Sequence, residues 1–235
     1  MIEFNGIRSS AVGVIVERYP DRPIPRRKYE KFQVPGRSGD IIAFEDAWDN
    51  IVQRYEIYVS AETQGLPIVA AAAARWLQAP GYCRLEDEYD RDVFRRAAFV
   101  GPLDLANILN SFGRATIEFD CDPRRFLKSG AQPVAMTNGG KLTSPTGFAA
   151  LPIIRISGSG AGTLTVGGVT VSLTETDGVT LDCEEQDCTR TVGGVVSNFN
   201  SGMTGAFPAL GAGVTEISWT GGVTAVEIVP RWWTL

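Results

Sequence analysis

A chain of 235 residues, 44% hydrophobic and 21% charged, has the composition of a soluble globular protein and the length for one large or two ordinary domains. Its formal charge of −5 argues against a general nucleic-acid binder, and the absence of histidine removes the commonest general base and neutral metal ligand. No apolar run reaches the ~18 residues that span a bilayer, and Met1-Ile2-Glu3-Phe4 lacks the basic-then-apolar order of a secretory signal, so neither membrane insertion nor secretion is expected.

In chain order, Ile2-Glu3-Phe4 alternates and Asn5-Gly6 is a two-residue hairpin signal. Val12 to Val16 and Tyr29 to Val34 read as strands. Between them Pro20-Asp21-Arg22-Pro23-Ile24-Pro25-Arg26-Arg27-Lys28 is a proline-spaced basic arm that cannot be helical. The stretch Val34-Pro35-Gly36-Arg37-Ser38-Gly39-Asp40 then reads as a shaped loop carried on a β scaffold. Two readings fit this region: a surface presented to a partner, or a solvated basic loop.

Arg54 to Val59 alternates charged and apolar residues, as in a strand with one wet face. Leu66 to Ala79 is the one predicted helix, opened by Pro67 and stopped by Pro80-Gly81. Ile68, Ala71, Ala72, Arg75 and Trp76 give it partial helical spacing, for packing inside its own domain or against another subunit. Tyr82 to Leu85 and Val93 to Val100 flank an acidic tip, Glu86 to Asp92, and Phe112 to Asp120 is a further strand closed by Cys121-Asp122-Pro123-Arg124-Arg125.

Residues 129–150 are poor in charge and rich in Gly, Ser, Thr, Asn and Pro, which predicts a boundary between a domain at 1–128 and another at 151–235. Of the 22 Lys and Arg, only Lys141, Arg155, Arg190 and Arg231 lie beyond residue 130, so the two units are expected to do different jobs. Short strands at Pro152 to Ile156, Gly162 to Val166, Val169 to Leu173, Val179 to Leu181, Val214 to Trp219 and Val223 to Val229, punctuated by glycine pairs, predict an antiparallel sandwich. The expected fold is mainly β with one helix, an N-terminal β-rich domain and a C-terminal β-sandwich.

No chemistry emerges from the motifs. Glu86, Glu88, Asp90 and Asp92 alternate like a calcium loop, but the turn glycine is missing and Ala97 stands where the closing glutamate belongs. Cys183 and Cys188 lack a second pair of ligands for zinc, and all four cysteines are expected to stay thiols. Neither the Gly158 to Gly168 stretch nor Gly139-Gly140-Lys141-Leu142 is a phosphate loop. A histidine-based triad is impossible, and no carboxylate pair stands out for glycoside hydrolysis. The expectation is no enzyme, no metal and no cofactor.

Several phrases together resemble the siphophage-type distal tail proteins. They are Phe4-Asn5-Gly6, Ser9-Ser10 with Val12-Gly13-Val14, and Pro25-Arg26-Arg27 with Val34 to Asp40; then Leu181-Asp182-Cys183-Glu184, Phe207 to Leu210, Gly213 to Trp219, and Val226 to Leu235. The resemblance runs in matching order over nearly the whole chain, with Cys183 where the family often has serine. It implies a structural virion protein, made in the host cytoplasm from a phage or prophage and placed at the distal end of the tail. It further implies an N-terminal domain that forms a hexameric ring and a galectin-like C-terminal sandwich. Such a ring joins the tail tube protein to the central tip protein and to receptor-binding proteins, and DNA passes through it without specific binding. No carbohydrate-binding insertion is evident.

A ring needs two different complementary patches. The candidates are Arg22, Arg26, Arg27, Arg37 and Asp40 on the arm and loop, and Glu86, Glu88, Asp90 and Asp92 on the acidic tip. The rival reading is a carbohydrate-binding module in which Trp232 and Trp233 stack on sugar rings.

Overall fold

In a computed structural model, residues 1–60, 65–103, 106–109 and 112–235 are described, and the chain divides into two compact units, Met1–Arg125 with Leu235 and Phe126–Thr234. Both are β units, every described strand pairing is antiparallel, and one α-helix occurs among the described residues. The first unit contains β1 (Ile2–Phe4), β2 (Ile7–Arg8), β3 (Val14–Val16), β4 (Arg27–Phe32), β5 (Ile41–Trp48) and β6 (Ile51–Ser60). It continues with α1 (Leu66–Leu77), β7 (Cys83–Asp87), β8 (Val93–Phe99), β9 (Ala106–Leu109) and β10 (Phe112–Leu127). The second contains β11 (Val134–Met136), β12 (Gly140–Thr143), β13 (Ile153–Val166), β14 (Val169–Leu173), β15 (Val179–Asp182), β16 (Asp187–Val192), β17 (Val195–Asn198), β18 (Met203–Thr204), β19 (Val214–Val229) and β20 (Trp233–Thr234).

The main sheet of the first unit runs β2-β1-β7-β8-β10-β6-β3. Strict alternation along β6 turns Ile51, Tyr55, Ile57 and Val59 inward, where they meet Ile117, Phe119 and Cys121 of β10. Helix α1 covers this face with Leu66, Val69, Ala73, Trp76 and Leu77, and the Trp76 indole donates to the Phe4 and Ile7 carbonyls at 3.2 Å each. The expected contact stripe is corrected here: Ile68, Ala71 and Arg75 point to solvent, because the rotation that buries Val69 and Trp76 turns the arginine out.

β10 does not stop at Cys121. It runs through Pro123 to Leu127, with the Asp122 carboxylate accepting the Arg124 N–H at 2.9 Å. The ribbon β4–β5 pairs with no other strand among the described residues.

Nine of the second unit's strands form one sheet, β11-β19-β13-β15-β16-β17, with β12 on β19 and β14 and β18 beyond β13. Residues 129–150 belong to it rather than linking it: β11 and β12 pair with β19, and Ala150 bridges to Leu210. Ile154, Ile156, Leu164, Val166, Val171, Leu181, Ile217, Ile228 and Trp232 are among the side chains that make its core.

Candidate assembly surface

The basic arm of the sequence is the outgoing half of a ribbon. Pro20, Pro23 and Pro25 keep the approach extended, and β4 then meets β5 in the register Tyr29↔Phe44, Glu30↔Ala43, Lys31↔Ile42 and Phe32↔Ile41. The turn between them closes with the Arg37 N–H on the Val34 carbonyl at 3.1 Å, and Gly36 and Gly39 supply its positive φ angles of 80° and 83°. Alternation gives the ribbon two faces, one with Tyr29, Lys31, Ile42 and Phe44, the other with Glu30, Phe32, Ile41 and Ala43.

Neither face is covered. Phe44 is 60% exposed, Phe32 49%, Ile42 47% and Ile41 41%. An isolated two-stranded ribbon is marginal in water, and several local contacts brace this one. Arg27 bonds the Asp46 carboxylate and the Glu45 carbonyl at 2.9 Å each and lies 5.2 Å over the Phe44 ring. Arg26 donates to the Tyr29 hydroxyl at 2.9 Å and sits 4.9 Å over that ring, with the Lys31 ammonium 5.6 Å from it.

The charged candidates are mostly engaged within the chain. Arg22 donates to the Tyr89 carbonyl at 2.8 Å, Glu86 pairs with Arg84, Glu88 with the Met1 amino group at 3.1 Å, and Asp90 with Arg125 at 2.9 Å. Arg37, Asp40 and Asp92 are exposed. The structure thus brings arm and tip together through the Arg22 guanidinium and the Tyr89 carbonyl.

Magnitude decides between the two kinds of surface. Exposed ion pairs contribute about 0–1 kcal/mol and are screened by salt. Fully burying one large apolar side chain contributes about 1.5–3 kcal/mol, and the half-exposed ribbon residues would each realise part of that. The apolar ribbon is therefore the stronger candidate for an interface.

The sequence reading expected a strand-like run on each side of the loop but gave the second no bounds, and so left out Phe44 and Ile42. Its signal was present as the alternation Ile42-Ala43-Phe44, opposite the already noted Tyr29 to Val34 run. It also missed Asp87, which shapes the tip: its carboxylate accepts the Tyr89 and Asp90 N–H groups at 2.9 and 2.8 Å and the Tyr55 hydroxyl at 3.0 Å. Burial, and then the Asp87 charge, push the Tyr55 hydroxyl well above its ordinary value, so it stays a donor.

Trp232 is 6% exposed within the second unit's core. Trp233 gives one ring face to Phe148, with centroids 4.4 Å apart, and its N–H to the Ala149 carbonyl at 2.8 Å. Trp232 has no face to offer a sugar. Among the described residues no group of three His, Cys, Asp or Glu is placed to hold a metal ion.

The fold is similar to that in the crystal structure of the SPP1 Dit protein, described as a paradigm of the hub adsorption apparatus in phages that infect Gram-positive bacteria. The TM-score is 0.71 over 100% of this chain and 98% of that one, at 11% identity, which makes the likeness one of fold. No protein-family model and no curated protein matches the chain.

Proposed function

We propose that this protein is a structural component of a phage tail tip, in which six copies form a ring between the tail tube protein and the central tip protein, with receptor-binding proteins attached. The full-length fold likeness to a tail-hub protein carries this reading. The chain's own contribution is an uncovered apolar ribbon, which is what one copy needs to grip the next. DNA passes through the ring without being held, a role compatible with the net charge of −5. The ring acts by position, not by catalysis.

Negative-stain imaging of the purified protein tests this. Six-fold rings are expected, lost when Phe32 and Phe44 are both changed to Ser, with the melting temperature changed far less than by a core substitution because both side chains are about half exposed. Charge reversal at Arg26 and Arg27 should weaken rings less, and in a salt-dependent way. Rings that survive the Phe32→Ser/Phe44→Ser change would remove the ribbon from the interface.

A further inference from the structure

The segment leading into the arm has no regular structure, yet nearly every residue of Glu17–Arg22 is anchored. The Glu17 N–H bonds the Glu56 carbonyl at 2.9 Å and its carboxylate holds Arg114 at 2.6 Å. Arg18 pairs with Glu56. The Tyr19 ring lies 4.5 Å from that of Tyr89, centroid to centroid. Gln53, only 3% exposed, donates to the Asp21 carbonyl at 2.9 Å, and Arg22 donates to the Tyr89 carbonyl at 2.8 Å. Pro20 is the exception, and its ring restricts the backbone instead.

The returning chain is held as well. The Asp49 N–H closes the base of the ribbon on the Arg26 carbonyl at 2.9 Å, and just beyond it the Asn50 amide ties the chain to the body, donating to the Tyr82 hydroxyl and to the Asp120 carboxylate at 3.1 Å. Between these fixed points Pro23 and Pro25 stiffen the outgoing strand, while Ile24, 87% exposed, touches little. A ribbon with two bare apolar faces would lower its free energy by folding back on its own chain. The anchors oppose that collapse. Detaching Asp21 would also strand a buried amide donor on Gln53.

We infer that Glu17–Arg22 and Asn50 form a clasp that presets the direction of the arm, keeping its apolar faces off its own chain and ready for a second copy. The clasp itself follows from contacts within one copy; only its use in assembly rests on the ring reading. A preset arm loses less freedom on docking, so assembly is tighter than with a swinging one.

Spin labels at Ser38→Cys and Val52→Cys, in a Cys83→Ser background and diluted with excess unlabelled protein, measure the arm's direction. The clasp predicts a narrow distance distribution that broadens with Tyr89→Ala and with Arg22→Ala, and assembly weakened about tenfold in both. Arg22 is exposed, so its variant carries the test even where Tyr89→Ala fails to fold. Equal widths with and without the clasp contacts would overturn the inference. Broadening without any change in assembly would overturn its second half. Absence of assembly in the unaltered protein, with a narrow distribution, would count against the ring and leave the clasp standing.

Discussion

Asp182 and Arg231 lie 49 residues apart and meet in a two-pronged ion pair at 2.6 and 2.8 Å, with Glu184 a further 3.6 Å from the guanidinium. Both belong to phrases singled out by resemblance, Leu181 to Glu184 and Val226 to Leu235. Their contact was not legible, since nothing local in either phrase names the other. Burial pushes the Asp182 carboxyl up, but the Arg231 hydrogen bond, the Glu185 and Glu184 N–H groups and the Arg231 charge outweigh it and hold the carboxyl below its ordinary value. A carboxyl depressed in the folded state gives stability that is complete above the unfolded value, near pH 4, and is lost as pH falls through the folded one. Arg231→Ala should cost about 1–3 kcal/mol at neutral pH and flatten the loss of stability on the acid side of about pH 4. Urea melts across that range check it, and parallel acid slopes for the two proteins would show that the pair contributes nothing.

The cysteines answer a different question at the same scale. Burial pushes the Cys121 and Cys183 thiols up to about 12 and that of Cys188 up to about 11, and all four cysteines are free. A thiol reagent should modify Cys83 alone in the native protein and all four in denaturant. Rapid native labelling of Cys183 or Cys188 would mean that the β15–β16 turn opens readily.

At the scale of elements, the strands of the first half were legible because one wet face imposes period two. The Asn5-Gly6 turn appears with φ of 51° and 74°, and the predicted Leu66 to Ala79 helix as α1 at Leu66–Leu77. The second half misled. Gly221-Gly222 looked like turn punctuation and the glycine-rich stretch from Gly158 interrupted the pattern, so two long strands were read as four. Gly158, Gly162, Gly221 and Gly222 instead let β13 and β19 run on past each other, with register shifts at Ser157/Gly158 and Gly158/Gly162. A Cβ on Gly158 would stand 2.1 Å from the Gly222 carbonyl oxygen, and one on Gly222 would stand 1.9 Å from the Ser159 carbonyl oxygen. Composition shows the glycine but not whether it serves a turn or a close approach. Gly222→Ala should therefore destabilise by about 3 kcal/mol in chemical denaturation, whereas a loss under 1 kcal/mol would mean that the crossing relaxes easily. The ribbon was half legible: its basic outgoing strand drew attention through proline and charge, while its apolar return strand resembles any buried strand.

For the whole molecule, charge and apolar surface predict different behaviour. Were the arm and the acidic tip held together across copies mainly by charge, assembly would fall steeply with salt. The observed pairing leaves most of those charges satisfied inside one copy, so assembly through the ribbon should change little with salt and should carry the negative heat-capacity change of apolar burial. Isothermal dilution at several temperatures and ionic strengths separates the two. The ring itself is tested most directly by the mass of the purified protein, measured by light scattering after size exclusion over a wide concentration range. A rise to six times the chain mass of 25.4 kDa, abolished by Phe32→Ser/Phe44→Ser, is the expected result; a single-chain mass at every concentration would contradict the ring.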